Sequence, residues 1–330
     1  WEAIGAIARG NQVIVVGDSK QLPPTSFFEK EVDDDAPLTE DDVQDLESIL
    51  DECVACQLPT YSLKWHYRSR HETLIAFSNH HYYFNELLTF PSAMDDNRHL
   101  GVSLRSVRGG TYDSSRSRTN LEEARAMVEE IVNRLTDPAQ RSRSLGVVTF
   151  SIAQQGLVED LLEEARASHP EIEPYFTDKV VEPVFVKNLE TVQGDERDVI
   201  LFSICYGPNR DGKVSMNFGP LNRKGGERRL NVAITRARQQ LVVFSSLRPE
   251  SIDLSRTSAV GVQHLKSFLA FATRGVSALA SSPGSGKEGA FESPFEAAVH
   301  RALSDRGWRV RSQVGCSGYR VDLGVQHPDF

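Results

Sequence analysis

Short apolar segments that alternate with amphipathic ones constrain the fold of this 330-residue chain more than any other feature. Strands buried on both faces are near-continuous β-branched runs, and helical segments between such runs are typical of βαβ units. The strand-like runs are Gln12–Val16, Leu145–Phe150, Val184–Lys187, Val199–Ser203 and Gln240–Ser245. The helix-like segments are Trp1–Arg9, Val43–Cys56, Arg70–Phe84, Glu122–Leu135, Ala153–Ala167 and Arg229–Ala237. This pattern predicts an α/β fold in which helices flank a parallel sheet.

Length and composition are those of an ordinary globular protein. The chain is too long for one compact core, and its 39% apolar and 25% charged residues are typical of folded chains. No run approaches the roughly 18 apolar residues of a membrane span, and no signal-peptide pattern is present. We therefore expect a cytoplasmic location. Because Trp1 lies inside a helix-like segment, we expect the chain to be part of a longer protein.

The four cysteines do not form a disulfide framework, which agrees with a reducing compartment. Cys53 and Cys56 form a C-x-x-C pair, but no second pair or close histidines complete the four ligands of structural zinc. Two thiols on a helix surface are the simpler interpretation.

Charge is distributed unevenly along the chain. The net charge is −9, but residues 29–52 alone hold twelve acids and a single base, Lys30. Outside this segment acids and bases nearly balance, and Arg223–Arg238 carries six bases against Glu227. We interpret the acidic segment as solvated inter-domain chain. A polyanionic partner is therefore compatible with the negative net charge.

The first stretch with candidate chemistry is Gly17–Pro24. It follows the carboxyl end of a predicted parallel strand, where ligands bind in open α/β sheets. An uncharged amide there, such as that of Gln21, can meet a nucleotide phosphate or its attacking water. An ordinary loop with a solvated glutamine stays the alternative.

Three further stretches combine charged residues with aromatic or apolar ones. Tyr61–Arg70 sets aromatic residues beside arginines, which suits base stacking together with phosphate pairing. Leu189–Asp198 reads LETVQGDERD and leads into an apolar strand, and Arg228–Arg238 reads RRLNVAITRAR. In the last stretch, Val232 and Ala233 would pack on the core, with Arg236 on the opposite helix face. Each stretch alone also fits a charged helix surface.

Taken in order, GDSKQLPP, YR, TVQGDERD and LNVAITRAR resemble the motifs of superfamily 1 helicases. The resemblance is to the 1B group, which includes the nonsense-mediated-decay type, and it covers about Trp1–Ser246. It implies RecA-like parallel sheets of the P-loop NTPase type, with ATP and Mg²⁺ as cofactors. It also implies that Gln21 senses the γ-phosphate from a first RecA-like lobe.

The same resemblance assigns the other nucleotide-site residues to a second lobe. Tyr67 would stack on adenine, and Arg68 would reach the γ-phosphate. Gly194 and Glu196 would lie by the nucleotide, with Glu196 near the ribose. Arg236 would act as the arginine finger, a cation that stabilises charge on the transferring phosphoryl group.

Single-stranded nucleic acid is expected by this resemblance along Leu145–Gln154 and at Thr191. Thr149 and Ser151 would bond phosphate oxygens at the N-terminus of the following helix. A plain N-terminal cap is the alternative for Thr149.

The chain departs from the family pattern because it contains no G-x-x-x-x-G-K-[ST] phosphate loop. Around Gly286 and Lys287, Ser281 and Glu288 stand where that motif needs Gly and Ser/Thr. The family's magnesium-binding acids would fall upstream of Trp1. We therefore expect this chain alone not to hydrolyse ATP.

The C-terminal residues resemble the very-short-patch-repair-like, restriction-endonuclease-like fold. The resemblance rests on SPFE at 293–296 and YRVDL at 319–323, within a helix-like Pro294–Arg306 and strand-like Arg309–Val314 and Tyr319–Val325. It implies Asp322 as a Mg²⁺ ligand, with Glu296 as a supporting acid or only a helix-face charge. A degenerate nuclease fold that binds DNA is the alternative.

The expected domains are the end of a first RecA-like lobe (1–30), an acidic segment (31–60), a second RecA-like lobe (61–276), a linker (277–291) and the start of a nuclease-like domain (292–330). The expected function of the intact protein is ATP-dependent movement on single-stranded nucleic acid, with DNA preferred over RNA because of the nuclease resemblance. The alternatives are a non-catalytic nucleic-acid-binding module and a nuclease to which the motor delivers DNA. The joint presence of the nucleotide-site residues argues against the first alternative.

Overall fold

The computed structural model describes residues 4–22, 48–92, 99–279, 291–316 and 318–327. Its contacts divide the chain into two compact units, Trp1–Leu63 and Lys64–Phe330, and each is described by itself. The predictions on Pro23, Pro24, most of the acidic segment and the phosphate-loop-like run in the linker lie outside the described residues. No helix among the described residues is long and apolar enough to cross a bilayer.

The described part of the first unit contains the short helices α1 (Ile4–Ile7) and α2 (Ile49–Ala55). Ser48 begins α2 with a capping box. Its hydroxyl accepts the Asp51 backbone N–H at 3.2 Å, while the Asp51 carboxylate accepts the backbone N–H of Ser48. Such a pair satisfies N–H groups that a helix start leaves without intrahelical partners.

The prediction of a buried strand at Gln12–Val16 is wrong. The segment is not a strand in the structure, and Ile14 and Val16 are 79% and 83% exposed. A buried parallel strand needs neighbours that take its backbone hydrogen bonds and cover its side chains. The described residues of this unit contain no strand that could pair with it.

A five-stranded parallel sheet forms the centre of the second unit. Its strands are β1 (Gly101–Ser106), β2 (Leu145–Thr149), β3 (Phe185–Asn188), β4 (Arg197–Ser203) and β5 (Ala237–Ser245). Across the sheet they run β1-β5-β4-β2-β3, and every pair is parallel. The predicted α/β fold with a RecA-like parallel sheet is confirmed.

Helices cover both faces of this sheet. They are α3 (Thr73–Tyr82), α4 (Leu121–Thr136), α5 (Ile152–Ser168), α6 (Gly226–Ile234) and α7 (Val260–Arg274). The connections through α4 and α5 cross the sheet in one direction, whereas the connection through α6 returns from β4 to β5. Since such crossovers are almost always right-handed, α4 and α5 lie on one face and α6 on the other.

The core on the α4–α5 face combines alternate strand residues with one stripe of each helix. Met127 and Ile131 of α4 and Val158 of α5 are fully buried against Leu201 and Phe244 of the sheet. Because the central strands are buried on both faces, they read in the sequence as continuous apolar runs.

Two elements were not predicted, and α6 lies closer to the N-terminus than its predicted range. β1 is interrupted by Ser103 and Arg105, so its sequence lacks a continuous apolar run. α7 was not predicted either. The helix expected over Arg229–Ala237 ends at Ile234, where the Thr235 hydroxyl donates to the Asn231 carbonyl at 2.8 Å. Ala237 already pairs with β4.

The C-terminal residues form α8 (Pro294–Ser304) and an antiparallel pair, β6 (Val310–Val314) and β7 (Val321–Val325). α8 contacts both strands. These elements agree with the predicted helix and strands, while the nuclease-like identity stays a prediction.

Candidate nucleotide site

Two of the predicted nucleotide-site residues form an ion pair in the second unit. The Nε of Arg68 lies 2.7 Å from the Oε2 of Glu196, and both side chains are partly exposed. Glu196 immediately precedes β4, so the pair lies at the amino edge of the sheet, the edge where the strands begin. Tyr67 is 90% exposed beside it, which leaves its ring accessible to a planar ligand.

A histidine-centred turn presents Tyr67 and Arg68. The Nε2 of His66 lies 2.8 Å from the Ser69 hydroxyl and accepts the Ser69 backbone N–H at 3.2 Å. Burial, helped by the charge of Arg68, lowers the pKa of His66 to about 4. The ring is therefore neutral at pH 7, as an acceptor of the Ser69 N–H must be.

Arg238 joins several carboxylates at the same edge. Its Nε lies 3.1 Å from Asp198, its Nη1 donates to Glu182 at 2.9 Å, and its Nη2 donates to the Ser144 hydroxyl at 2.9 Å. Its Nη1 also lies 3.6 Å from Glu196. The hydrogen bonds to Glu182 raise the pKa of Arg238 and lower the pKa of Glu182. Arg238 therefore fixes the surroundings of Glu196.

Sequence reasoning did not assign a role to Arg238. The available signal was the Arg-Ala-Arg sequence at the start of a strand. Because side chains alternate between the two faces of a strand, Arg236 and Arg238 are expected on the face opposite to Ala237.

Arg236 is buried, with 3% of its surface exposed. Its Nε donates to the Val232 carbonyl at 2.8 Å and its Nη2 to the Thr235 hydroxyl at 3.0 Å. The prediction that Arg236 lies on the helix face opposite Val232 is wrong, because the helix ends before it. Its carbonyl accepts the Arg197 N–H at 3.2 Å, so its backbone lies next to Glu196 at the amino edge.

The segment Leu189–Glu196 connects the two edges of the sheet. It leaves the carboxyl end of β3 and reaches the amino end of β4, with Leu189 and Val192 fully buried. Gly194 has φ +92°, a conformation that favours glycine. Thr191, an exposed residue, accepts the Asn188 backbone N–H on its hydroxyl at 3.2 Å. Thr191 and Glu196 are therefore near opposite ends of one short segment.

Thr149 and Ser151 lie at the carboxyl edge, where β2 ends and α5 begins. Ser151 caps α5, because its hydroxyl accepts the Gln154 N–H at 3.2 Å. Thr149 is fully buried and donates to the Ser151 carbonyl at 2.9 Å. The alternative that Thr149 is the cap is therefore wrong.

In the first unit, Gln21 belongs to a turn organised by Asp18. The Gln21 side-chain amide donates to the Asp18 carboxylate at 2.8 Å, and the Lys20 N–H donates to the same carboxylate at 2.9 Å. The predicted role of Gln21 at a phosphate stays a prediction.

A buried polar network at the carboxyl edge was missed by sequence reasoning. Glu123, in the first turn of α4, accepts the backbone N–H groups of Cys205 at 2.8 Å and Ser246 at 2.7 Å. Its Oε2 also accepts the Ser203 hydroxyl at 2.9 Å. The carboxylate thus joins the ends of β4 and β5. The only sequence signal is Asn120-x-x-Glu123, a spacing typical of helix starts.

This network lies at the carboxyl ends of the neighbouring strands β2 and β4, where the direction of the chain connections reverses. The connections after β2 and β4 run to opposite sides, and such a switch point is where open α/β sheets bind ligands. Here the Gln154 amide bonds Asn120 and Ser203 across the gap. Burial raises the pKa of Glu123 to about 7 although the surrounding donors lower it.

The predicted metal ligands of the C-terminal residues are not gathered in a metal centre. Glu296 uses its carboxylate to cap α8, accepting from the Ser293 hydroxyl at 2.9 Å and the Glu292 N–H at 3.0 Å. Asp322 is exposed on β7. Among the described residues no group of three or more His, Cys, Asp or Glu side chains could hold a metal ion. We assign no metal-dependent step to these residues.

The fold and the order of the motifs define a helicase-type RecA-like lobe. A family model described as an AAA domain (AAA_12) matches residues 46–248, which is more than half of the chain. The chain belongs to this family, and the predicted superfamily 1 helicase character is confirmed at the level of this domain.

Curated relatives carry helicase and related names. An uncharacterized ATP-dependent helicase, MG140 of Mycoplasma genitalium, is 36% identical over 282 residues, covering 82% of this chain and 24% of the relative. The regulator of nonsense transcripts 1 homolog of Neurospora crassa is 26% identical, covering 71% and 20%. DNA polymerase alpha-associated DNA helicase A of Saccharomyces cerevisiae is 26% identical, covering 74% and 36%. The chain therefore spans between a fifth and about a third of these relatives.

Proposed function

We propose that this chain supplies the second-lobe half of the nucleotide site in a larger ATP-dependent superfamily 1 helicase. One observation carries the proposal: the Arg68–Glu196 ion pair at the amino edge, beside the exposed ring of Tyr67. An aromatic ring can stack on a base, a guanidinium can pair with phosphate, and a carboxylate can accept a hydrogen bond from a sugar hydroxyl. Together they suit a nucleoside triphosphate better than a simple polyanion.

The chain's own residues would act on ATP in distinct ways. Tyr67 would hold the base, Glu196 would accept from a ribose hydroxyl, and Arg68 would exchange the carboxylate for the γ-phosphate. Arg236 would need to leave the Val232 carbonyl to reach the phosphoryl group. A cation in that position stabilises charge that develops in the transition state, worth about 10³–10⁵ in rate in GTPases. The phosphate loop and the magnesium-binding acids would come from the rest of the protein.

Single-stranded nucleic acid would lie along the carboxyl edge. Thr191 is exposed there, and Ser151 stands at the N-terminus of α5, where N–H groups attract phosphate. The segment Leu189–Glu196 would connect this strand contact with the nucleotide at the amino edge. Loss of the γ-phosphate would release Arg68 and Arg236 together, so that the lobes part and the protein moves. DNA is preferred over RNA in this proposal.

The burial of Arg236 favours one alternative, a module that binds nucleic acid without turnover. In that case the guanidinium would be a structural cap on the α6 carbonyls. The two functions differ in whether Arg236 affects ATP hydrolysis by the complete protein.

We also propose that the C-terminal residues are the start of a nuclease-like domain, supported by the arrangement of α8 with the β6–β7 pair. Nicking of DNA by the complete protein that is lost in Asp322→Ala would support cleavage. Absence of nicking by the wild-type protein would exclude it and favour DNA binding by a degenerate fold.

Binding of a fluorescent ATP analogue to the complete reading frame that contains this sequence tests the nucleotide site. Arg68→Ala should weaken binding about ten-fold or more, because a charge-assisted phosphate contact is lost. Arg125→Ala, which removes an exposed arginine paired with Glu122 on α4, is the matched control and should leave affinity unchanged. Equal affinities in all three proteins would contradict the proposed site.

A further inference from the structure

The connection between β6 and β7 contacts the part of the RecA-like lobe that carries Tyr67 and Arg68. The backbone N–H of Cys316 donates to the Oε2 of Glu72 at 2.7 Å. The ring of Tyr319 stands edge-on to Trp65, with ring centroids 5.8 Å apart. The C-terminal residues therefore make both a polar and an aromatic contact with this lobe.

Glu72 is a buried acceptor that two separate segments share. Only 7% of the residue is exposed, and its Oε1 accepts the Ser92 backbone N–H at 3.1 Å while its Oε2 accepts that of Cys316. A buried carboxylate needs its hydrogen bonds, because it has lost its hydration. The same Oε2 also accepts the Thr89 hydroxyl, at the longer distance of 3.4 Å, so removal of the Cys316 N–H would take away its shorter hydrogen bond.

The aromatic contact is equally specific. Trp65 stacks on Phe90 with centroids 5.0 Å apart, and Tyr319 meets Phe90 edge-on at 6.0 Å as well. Trp65 and Phe90 are held side by side by the backbone, since the His66 N–H donates to the Leu88 carbonyl at 2.9 Å. Edge-on and offset-stacked rings at these distances are favourable pairs.

These two contacts bracket the predicted nucleotide-binding turn. Trp65 stands shortly before Tyr67 and Arg68, and Glu72 stands shortly after them, where α3 begins. The C-terminal loop thus touches the segment on both sides of the two residues while leaving Tyr67 itself exposed. A displacement of this loop would therefore remove one contact at each end of the turn.

We propose that the β6–β7 loop is an internal docking element that couples the C-terminal residues to the nucleotide site. The coupling rests on the proposed function of Tyr67 and Arg68, whereas the dock itself does not. Docking restrains the turn, so ATP binding and docking influence each other's equilibrium, and by linkage the influence is reciprocal. In a protein whose C-terminal residues handle nucleic acid, their engagement would thereby adjust nucleotide affinity.

Hydrogen exchange on this chain without nucleotide tests the dock. Tyr319→Ala should speed exchange of the His66 and Leu88 amides by about ten-fold, because the aromatic support of their bridge is lost. Tyr319→Phe keeps the ring and should exchange like the wild type. Phe295→Ala, which removes an exposed aromatic residue of α8, is the matched control. Unchanged exchange in Tyr319→Ala would overturn the dock.

Steady-state ATP hydrolysis by the complete protein tests the coupling. Tyr319→Ala should change the KM for ATP by about three-fold or more, while Tyr319→Phe and Phe295→Ala keep the wild-type KM. Faster amide exchange with an unchanged KM would overturn the coupling alone. Absence of ATP hydrolysis by the wild-type protein would overturn both the proposed function and the coupling. The hydrogen-exchange experiment would still test the dock, because it does not depend on ATP.

Discussion

The Arg68 guanidinium is paired with the Glu196 carboxylate at 2.7 Å, although the two residues are far apart in sequence. Each is the residue that one motif would bring to a nucleotide, so the fold places the two motifs in direct contact. The pair also sets the order of events that we propose, because Arg68 must exchange a carboxylate for a phosphate when ATP arrives. Glu196 is then available to the ribose.

Glu196 should recognise a sugar hydroxyl. In the complete protein, Glu196→Ala should raise the KM for ATP about ten-fold, since a hydrogen bond to a charged acceptor is lost. The variant should also lose the preference of the wild type for ATP over the analogue that lacks the recognised 2′ or 3′ hydroxyl. A variant that discriminates between ATP and both deoxy analogues as well as the wild type does would show that Glu196 does not contact the ribose.

Arg238 should stabilise the lobe by holding its acidic neighbours. Arg238→Ala leaves Glu182 and Asp198 without this cation, so we expect the free energy of unfolding to fall by about 1–3 kcal/mol. Arg125→Ala removes an exposed, helix-surface pair and should cost less than about 1 kcal/mol. Urea unfolding of the three proteins measures the difference, and equal losses in both variants would contradict the role given to Arg238.

Glu123 should make stability depend on pH. Its pKa is raised from 4.5 to about 7, so between these values the folded state holds a proton that the unfolded chain has released. The free energy of unfolding therefore decreases as pH rises through this window, by up to about 1.4 kcal/mol for each pH unit. Glu123→Gln removes this titration.

The test compares unfolding free energies at several pH values. The stability of Glu123→Gln relative to the wild type should rise from about pH 5 to pH 7 and then level off. Glu122→Gln, the exposed neighbour on the same helix turn, should run parallel to the wild type. Parallel curves for all three proteins would mean that Glu123 does not titrate in this range.

Binding of single-stranded nucleic acid should depend steeply on salt. If phosphate contacts carry the affinity, the logarithm of the binding constant falls linearly with the logarithm of salt concentration, by about 0.7 for each neutralised phosphate. We expect weak binding of an oligonucleotide by this chain, with DNA bound at least as well as RNA. Thr191→Val should weaken it a few-fold, whereas salt-independent binding would contradict a phosphate path at the carboxyl edge.

The parallel sheet was predictable because its central strands are buried on both faces. Because both faces are buried, β2, β4 and β5 are continuous apolar runs in the sequence. β1 carries Ser103 and Arg105 and lies at the sheet edge, so local pattern could not reveal it. Gln12–Val16 shows the reverse error, since an apolar run becomes a strand only where neighbours pair with it.

The motifs assigned expected roles to single residues but did not indicate how the fold holds those residues. Arg236 was expected on the helix face opposite Val232, yet the helix ends at Ile234 and the buried guanidinium donates to the Val232 carbonyl. Arg238 and Glu123 were not predicted as site residues, because their partners are distant in sequence and only the folded chain brings them together. Pairs of residues that are distant in sequence produce no local spacing pattern from which the contact could be predicted.

The most direct test of the central claim is single-strand-stimulated ATP hydrolysis by the complete protein beside its Arg236→Ala variant. If this lobe completes a working motor, the wild type hydrolyses ATP faster with single strands. The variant should then bind ATP within a few-fold of the wild type but lose turnover, because Arg236 acts on the transition state. Equal loss of binding and turnover, or no hydrolysis by the wild type with nucleic acid still bound, would contradict the account.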